Sequence, residues 1–158
     1  MVSFNDSVNN MTNMTNISAT WPDSGRRAFK SYQPPDLKVY GCICISPNNT
    51  VLLVKGRKSQ KWSFPKGHRE RTDYSSLDCA LRELKEETGV TLQNNYVAVK
   101  KYKAAEYYIY AVPHEYHLLP YDTREVEEAD WFTFNEVKEL NKNIDVSMFC
   151  NQIESSTI

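Results

Sequence analysis

Apolar and β-branched residues crowd the run from Leu37 to Ser46 and again from Thr50 to Gly56, with Pro47, Asn48 and Asn49 between them. This pattern predicts two strands joined by a polar turn into a hairpin. Between Ser75 and Thr88 the apolar positions change period: Leu77, Ala80, Leu81 and Leu84 recur at helical spacing. Ser75 with Asp78 suits a capping box at the start of that helix, and Gly89 suits its stop. Further on, Tyr96 to Lys103 and Glu106 to Pro113 read as two more strands and Glu128 to Phe134 as a shorter one, rich in Tyr, Val, Ile and Phe. A helix over Asn135 to Asn141, capped by Asn135, follows them. Residues 1–34 are rich in Asn, Ser, Thr and Met without a period and close on Pro34-Pro35, so they read as a poorly ordered arm. Residues 146–158 read as a C-terminal tail or short helix. Hairpin, helix, strands and helix in that order predict one α/β domain over residues 35–145, with no repeat.

Composition narrows the functional classes. A chain of 158 residues with 41% hydrophobic and 25% charged residues is long enough for one buried core. Its net charge of -1 argues against attraction of the whole protein to nucleic acid or to a membrane. The sequence holds no apolar run of roughly 18 residues and no basic-then-apolar leader, so the expected location is cytoplasmic, with no membrane partner. Cys42, Cys44, Cys79 and Cys150 lack the spacing of metal ligands. Reduced, buried thiols are expected, with Cys42 and Cys44 on one face of a strand.

The predicted helix over 75–88 carries Glu83, Glu86 and Glu87 at positions i, i+3 and i+4, which places three carboxylates on one face. Their mutual repulsion is relieved by a cation, and oxygen-only donors select a hard ion such as Mg2+ or Mn2+. Arg82 stands one turn before Glu86, within reach of a charge-assisted hydrogen bond that would orient it. Taken alone, such a charged run also fits a plain solvated face. Upstream, Lys55, Arg57, Lys58, Lys61, Lys66, Arg69 and Arg71 stand against Glu70, so the approach to the acidic face is locally positive and suits a polyanion. A dispersed solubilising surface is the other reading. Trp62, Tyr102, Tyr107 and Tyr108 are candidates either for stacking on a base or for the core.

The string Trp62-Ser63-Phe64-Pro65-Lys66-Gly67-His68, followed by Arg82-Glu83-Leu84-Lys85-Glu86-Glu87-Thr88-Gly89-Val90, resembles the Nudix box, G-x5-E-x7-R-E-U-x-E-E-x-G-U with U aliphatic. In its general manner the likeness runs from about Leu37 to Leu140. It implies an α/β/α sandwich with a mixed sheet and hydrolysis of a diphosphate linkage with Mg2+ or Mn2+ as cofactor. The implied metal ligands are the Gly67 carbonyl, Glu83, Glu86 and Glu87. Glu86 and Glu87 then belong to the catalytic set, with Glu125 favoured over Glu127 and Glu128 as general base. The stretch Glu125-Val126-Glu127-Glu128-Ala129-Asp130-Trp131 resembles that before a Trp in mRNA decapping enzymes. Lys55, Arg57, Lys66 and His68 are the implied substrate contacts.

One departure concerns the loop of the box. Counted forward from Gly67 its first acid falls on Asp73, but counted back from Arg82 it falls on Tyr74, because the loop is one residue longer. Asp73 is left with either a structural or a catalytic part. The string from Trp62 to Gly67 is similar to mRNA decapping enzymes, dinucleoside polyphosphate hydrolases and diphosphoinositol polyphosphate phosphohydrolases alike. His68 leans toward the second group and Asp78-Cys79-Ala80 toward the first. The implied partner is thus an anionic polyphosphate small molecule or a capped RNA end. The rivals are a non-catalytic Nudix module that senses a nucleotide and a structural interaction domain.

Overall fold

The computed structural model describes residues 38–120 and 122–156, and the arm expected over residues 1–34 lies outside them. In chain order the elements are β1 (Val39–Ile45), β2 (Thr50–Gly56), β3 (Trp62–Ser63), β4 (Lys66–His68), α1 (Ser76–Thr88), β5 (Ala98–Lys101), β6 (Ala105–Ala111), β7 (Val126–Thr133), α2 (Phe134–Lys138) and α3 (Ile144–Ser155). Among the described residues the strands make one sheet in the order β3-β2-β1-β6-β5, with β4 also paired to β1 and β7 to β2. The sheet is mixed. β1 runs parallel to β6, with Gly41 opposite Tyr107, while β2 with β7 and β5 with β6 are antiparallel.

Alternation along the strands fills two cores at once, the pattern of a sheet covered on both faces. On one face Tyr40, Cys42, Cys44, Leu52, Tyr108 and Tyr110 pack against Cys79, Ala80 and Leu84 of α1. On the other, Ile43, Ile45, Val51, Leu53, Phe64 and Tyr107 pack against Val137 of α2 and Val146, Phe149 and Cys150 of α3. Each fully buried Leu, Ile or Phe contributes roughly 1.5–3 kcal/mol relative to exposure. This is the expected α/β/α sandwich. The four thiols are free and buried, and Cys42 and Cys44 do share the α1 face. Burial pushes the Cys44 and Cys79 thiols up to about 12.

Several expectations change in detail. The last strand starts at Val126 rather than Glu128, because its backbone pairs with β2 from there on, Val126 opposite Gly56 and Glu128 opposite Lys55. Thr133, not Asn135, caps α2: its side chain accepts from the Glu136 N–H at 3.2 Å while Glu136 reaches back to the Thr133 N–H at 3.0 Å. The C-terminal segment forms α3 from Ile144, and the hydroxyl of Tyr107 donates to Asp145 Oδ2 at 2.6 Å, joining that helix to β6. Among the stacking candidates, Tyr107 and Tyr108 are buried, and Trp62 and Tyr102 pack against the α3-side core, Trp62 edge-on to Phe132 at 4.7 Å. Tyr107 and Tyr108 fill the interior, while Trp62 and Tyr102 are half-buried at its edge.

Candidate active site

The helix α1 is fixed at both ends by its own sequence. The side chain of Ser75 accepts the Asp78 N–H at 3.1 Å, and Gly89, at φ 78, turns the chain in the left-handed region so that its N–H reaches the Lys85 carbonyl at 2.8 Å. With Cys79, Ala80 and Leu84 committed to the sheet, the next stripe of the helix, Glu83, Glu86 and Glu87, faces the loop that β4 supplies. Pairing of β4 with β1 sets Gly67 opposite Tyr40 and brings its backbone against the helix. A Cβ at Gly67 would collide with the Glu83 carboxylate, so this position admits no side chain without displacing that group.

Glu83 and Glu87 are 8% and 6% exposed, whereas Glu86 is half-buried. Burial, opposed by Arg82 and reinforced by Glu86, pushes the Glu83 carboxyl up to about 7. Burial and then the neighbouring Glu83 push Glu87 up to about 8, although its Oε2 accepts the Lys66 N–H at 3.2 Å. Both groups therefore resist losing their protons in the absence of a compensating cation.

Arg82 organises the polar side of the site. Its Nε and Nη2 donate to Asp73 Oδ1 and Oδ2, each at 2.9 Å, in a bidentate pair. Its Nη1 lies 3.1 Å from Glu83 Oε1 and 3.1 Å from Glu86 Oε2, and Nη2 also donates to the His68 carbonyl at 3.1 Å. The position of Asp73 is thereby defined. The extra loop residue is absorbed by a turn in which the Asp73 N–H meets the Glu70 carbonyl at 3.1 Å and the Glu70 N–H meets Asp73 Oδ2 at 2.8 Å. Hydrogen bonding from Arg82 holds the Asp73 carboxyl below its ordinary range.

Among the described residues, no group of three or more Asp, Glu, His or Cys side chains forms a ready metal cage. Glu83 and Glu86 both point at Arg82 Nη1, and Glu87 is held by the Lys66 N–H. The donor set nevertheless fits a hard cation that keeps part of its water shell, since it offers carboxylate oxygens and the Gly67 carbonyl on one side of a loop-helix junction. Two of those carboxylates are buried with raised pKa values, which a cation would relieve.

The basic residues are distributed differently from the sequence expectation. Lys55 Nζ lies 3.5 Å from Glu127 and 3.9 Å from Glu128, while Arg57 Nη1 lies 4.0 Å from Glu127. Both side chains thus meet acidic partners on β7. Such partly exposed pairs contribute little to stability, about 0–1 kcal/mol each, but they offset the positive charge expected at the entrance. Lys66 lies close enough to lower the Glu87 pKa through its charge, and His68 is exposed. Glu125 is exposed on the turn entering β7, and its charge adds to the upward pressure on both Glu83 and Glu87. Sequence reasoning missed the loop that seals the end of α1. There the Asp122 N–H donates to the Glu86 carbonyl and the Leu119 N–H to the Thr88 carbonyl, both at 2.9 Å. Neither contact has a local signature.

The model of the NUDIX domain matches residues 36–151, so the chain belongs to the Nudix hydrolase family. Within that family it is similar to the m7GpppN-mRNA hydrolase of Saccharomyces cerevisiae, at 28% identity over 123 residues covering 73% of this chain. The match spans only 12% of the yeast protein. The fold resembles that of a C. elegans Ap4A hydrolase, with TM-score 0.59 and 14% identity over 77% of this chain and 97% of that one. It also resembles the NUDIX domain of Shewanella oneidensis NrtR complexed with ADP ribose, with TM-score 0.60 and 16% identity over 89% of this chain and 96% of that one.

The close approach at Gly67 gives a direct test of the geometry. Gly67→Ala should lower the melting temperature only modestly, because what it displaces is the far end of a flexible Glu side chain, at the loss of one contact with Arg82. Turning Glu83 aside should nevertheless lower divalent-metal affinity and any hydrolytic activity by about 10–100-fold. Isothermal titration with Mn2+ and circular-dichroism melts check both halves of this expectation.

Proposed function

We propose that this chain hydrolyses a diphosphate linkage in a nucleotide-type polyphosphate with Mg2+ or Mn2+, and that the 5′ cap of RNA is the substrate class it suits best. The observation that carries the reading is the acidic face of α1, Glu83, Glu86 and Glu87, set against the Gly67 backbone and oriented by Arg82. The cap is favoured over other polyphosphates by the alignment with a protein named as an m7GpppN-mRNA hydrolase.

Glu83, Glu86, Glu87 and the Gly67 carbonyl would hold the cation. When bound, it would neutralise diphosphate oxygens and make hydroxide available near neutral pH. Arg82 keeps Glu83 and Glu86 in place through its two 3.1 Å contacts, and Asp73 fixes Arg82 in turn. Glu125 serves as general base, accepting a proton from the attacking water at its carboxylate. Lys66 and His68 flank Gly67 and meet the phosphate charge, with Lys55 and Arg57, whose charges are partly offset by Glu127, as the further substrate contacts. Attack at phosphorus breaks the P–O–P bond, and the work of the chain's own groups is positioning and charge balance.

Incubating the protein and Mg2+ or Mn2+ with capped RNA, diadenosine polyphosphates, diphosphoinositol phosphates and nucleoside triphosphates, then identifying products, separates the substrate classes. Release of a methylated guanosine nucleotide and a 5′-phosphorylated RNA is the expected result. Preferential turnover of another member of the panel would reassign the substrate. Binding of nucleotides without turnover would point instead to a sensor.

A further inference from the structure

We propose that Asp122 is a positioning residue that holds the Glu125 carboxylate opposite the acidic face of α1; this rests on Glu125 being the general base. Three observations converge on the turn. First, the backbone N–H of Asp122 donates to the Glu86 carbonyl at 2.9 Å, so the turn is fastened to the last turn of the helix that carries Glu83, Glu86 and Glu87. The carbonyls at a helix C-terminus lack partners within the helix, and here Lys85, Glu86 and Thr88 are satisfied by Gly89, Asp122 and Leu119. Second, Asp122 Oδ1 accepts the N–H groups of Arg124 at 3.1 Å and Glu125 at 3.3 Å, which fixes the backbone from which the Glu125 side chain projects. Third, Arg57 closes the turn from the opposite side. Its backbone N–H donates to the Glu125 carbonyl at 2.8 Å and its Nε to the Thr123 carbonyl at 2.9 Å.

The turn is therefore held from the helix by Asp122 and from the end of β2 by Arg57, the residue that follows it, with Glu125 between them. A carboxylate on an untethered exposed turn would sample many orientations, and proton transfer requires one of them. What Asp122 supplies is a hydrogen-bond acceptor, not a charge. Its role is therefore separable from that of a metal ligand or a base.

The test uses the full chain, Mn2+ and a capped RNA oligonucleotide. Asp122→Ala should lower kcat by about 10-fold or more with KM nearly unchanged, and should speed hydrogen exchange at the Glu125 amide. Asp122→Asn, which keeps the same acceptor atom, should restore both. In a Glu125→Gln background Asp122→Ala should cost nothing further, since two residues acting as one unit are not additive. If Asp122→Asn is as defective as Asp122→Ala, the charge itself acts and the proposal is overturned. It is equally overturned if Asp122→Ala keeps full kcat while Glu125→Gln loses it. If Glu125→Gln itself keeps full kcat, the general-base reading fails and takes the proposal with it, a failure recognised by the Glu125 variant alone.

Discussion

Glu87→Gln should lower hydrolysis sharply and at the same time make the metal-free protein more stable above neutral pH. The two effects have one cause. Glu87 is 6% exposed, and burial followed by repulsion from Glu83 pushes its carboxyl up from 4.5 to about 8. A carboxyl with a raised folded pKa contributes stability that is fully present below its unfolded value. That contribution is lost as pH rises through the folded value. The metal-free wild type should therefore lose stability between about pH 5 and pH 8, the ionised carboxylate costing on the order of 5 kcal/mol at the upper end. Gln does not titrate, and its amide oxygen still accepts the Lys66 N–H, so the variant's melting temperature in EDTA should fall less over the same window, the remaining slope coming from Glu83. Mg2+ should reverse the ranking, stabilising the wild type by mass action while leaving the variant almost unmoved. Activity of the variant should fall on the order of 10³-fold, the loss seen when a group that stabilises developing charge is removed. Melts across pH with EDTA or Mg2+, alongside turnover of capped RNA, check each part. A variant that melts below the wild type at pH 8 in EDTA would show that Glu87 is stabilising as a charge.

The parts of this molecule that local chemistry determines were readable from the chain. Ser75 and Gly89 bound the acidic helix because a cap and a left-handed stop act within a few residues. The first hairpin was readable for the same reason, since Ile45 and Val51 pair across a short turn. What escaped was decided by pairing over distance. β3 and β4 have two and three residues, too few for a period, and exist because β2 and β1 supply partners. Asp73 could not be assigned by counting because a turn absorbs the additional residue, and only the bidentate contact with Arg82 shows its part. The ion pairs of Lys55 and Arg57 escaped because Glu127 and Glu128 are some 70 positions away in the chain yet stand beside them across the β2–β7 pairing. Glu125 entered through a resemblance, and nothing in its own sequence shows the turn that Asp122 and Arg57 build around it.

Arg82→Ala is expected to be among the most destabilising single changes in the domain, and Arg82→Lys should recover little of the loss. Arg82 contacts Asp73, Glu83, Glu86 and the His68 carbonyl, and Glu70 Oε1 lies 3.6 Å away, so one guanidinium joins the loop to the helix. Removing it strands Asp73, only 8% exposed, without the group that offsets its charge. Breaking a largely buried pair by deleting one partner costs about 3–5 kcal/mol. Lys offers a point charge where Asp73 is met by two parallel donors, so it cannot reproduce both contacts while also reaching Glu83 and Glu86. The contribution of Asp73 to the pH dependence should change sign. In the wild type the Asp73 carboxyl lies below its ordinary range, so it contributes stability that is present above the unfolded value and lost as pH falls through the folded one. Without Arg82 the same carboxyl is buried with only the Glu70 N–H as donor, its pKa rises, and the variant should gain stability on mild acidification where the wild type gains none from this group. Asp73→Asn separates stability from catalysis. It keeps an acceptor for Arg82 and leaves no stranded charge, so it should cost less stability than Arg82→Ala while loosening the alignment of Glu83 and Glu86. Denaturant titrations of the three variants at two pH values rank them. Recovery of most of the stability by Arg82→Lys, with no change in pH slope for Arg82→Ala, would show that Arg82 acts by packing and not by its paired contacts.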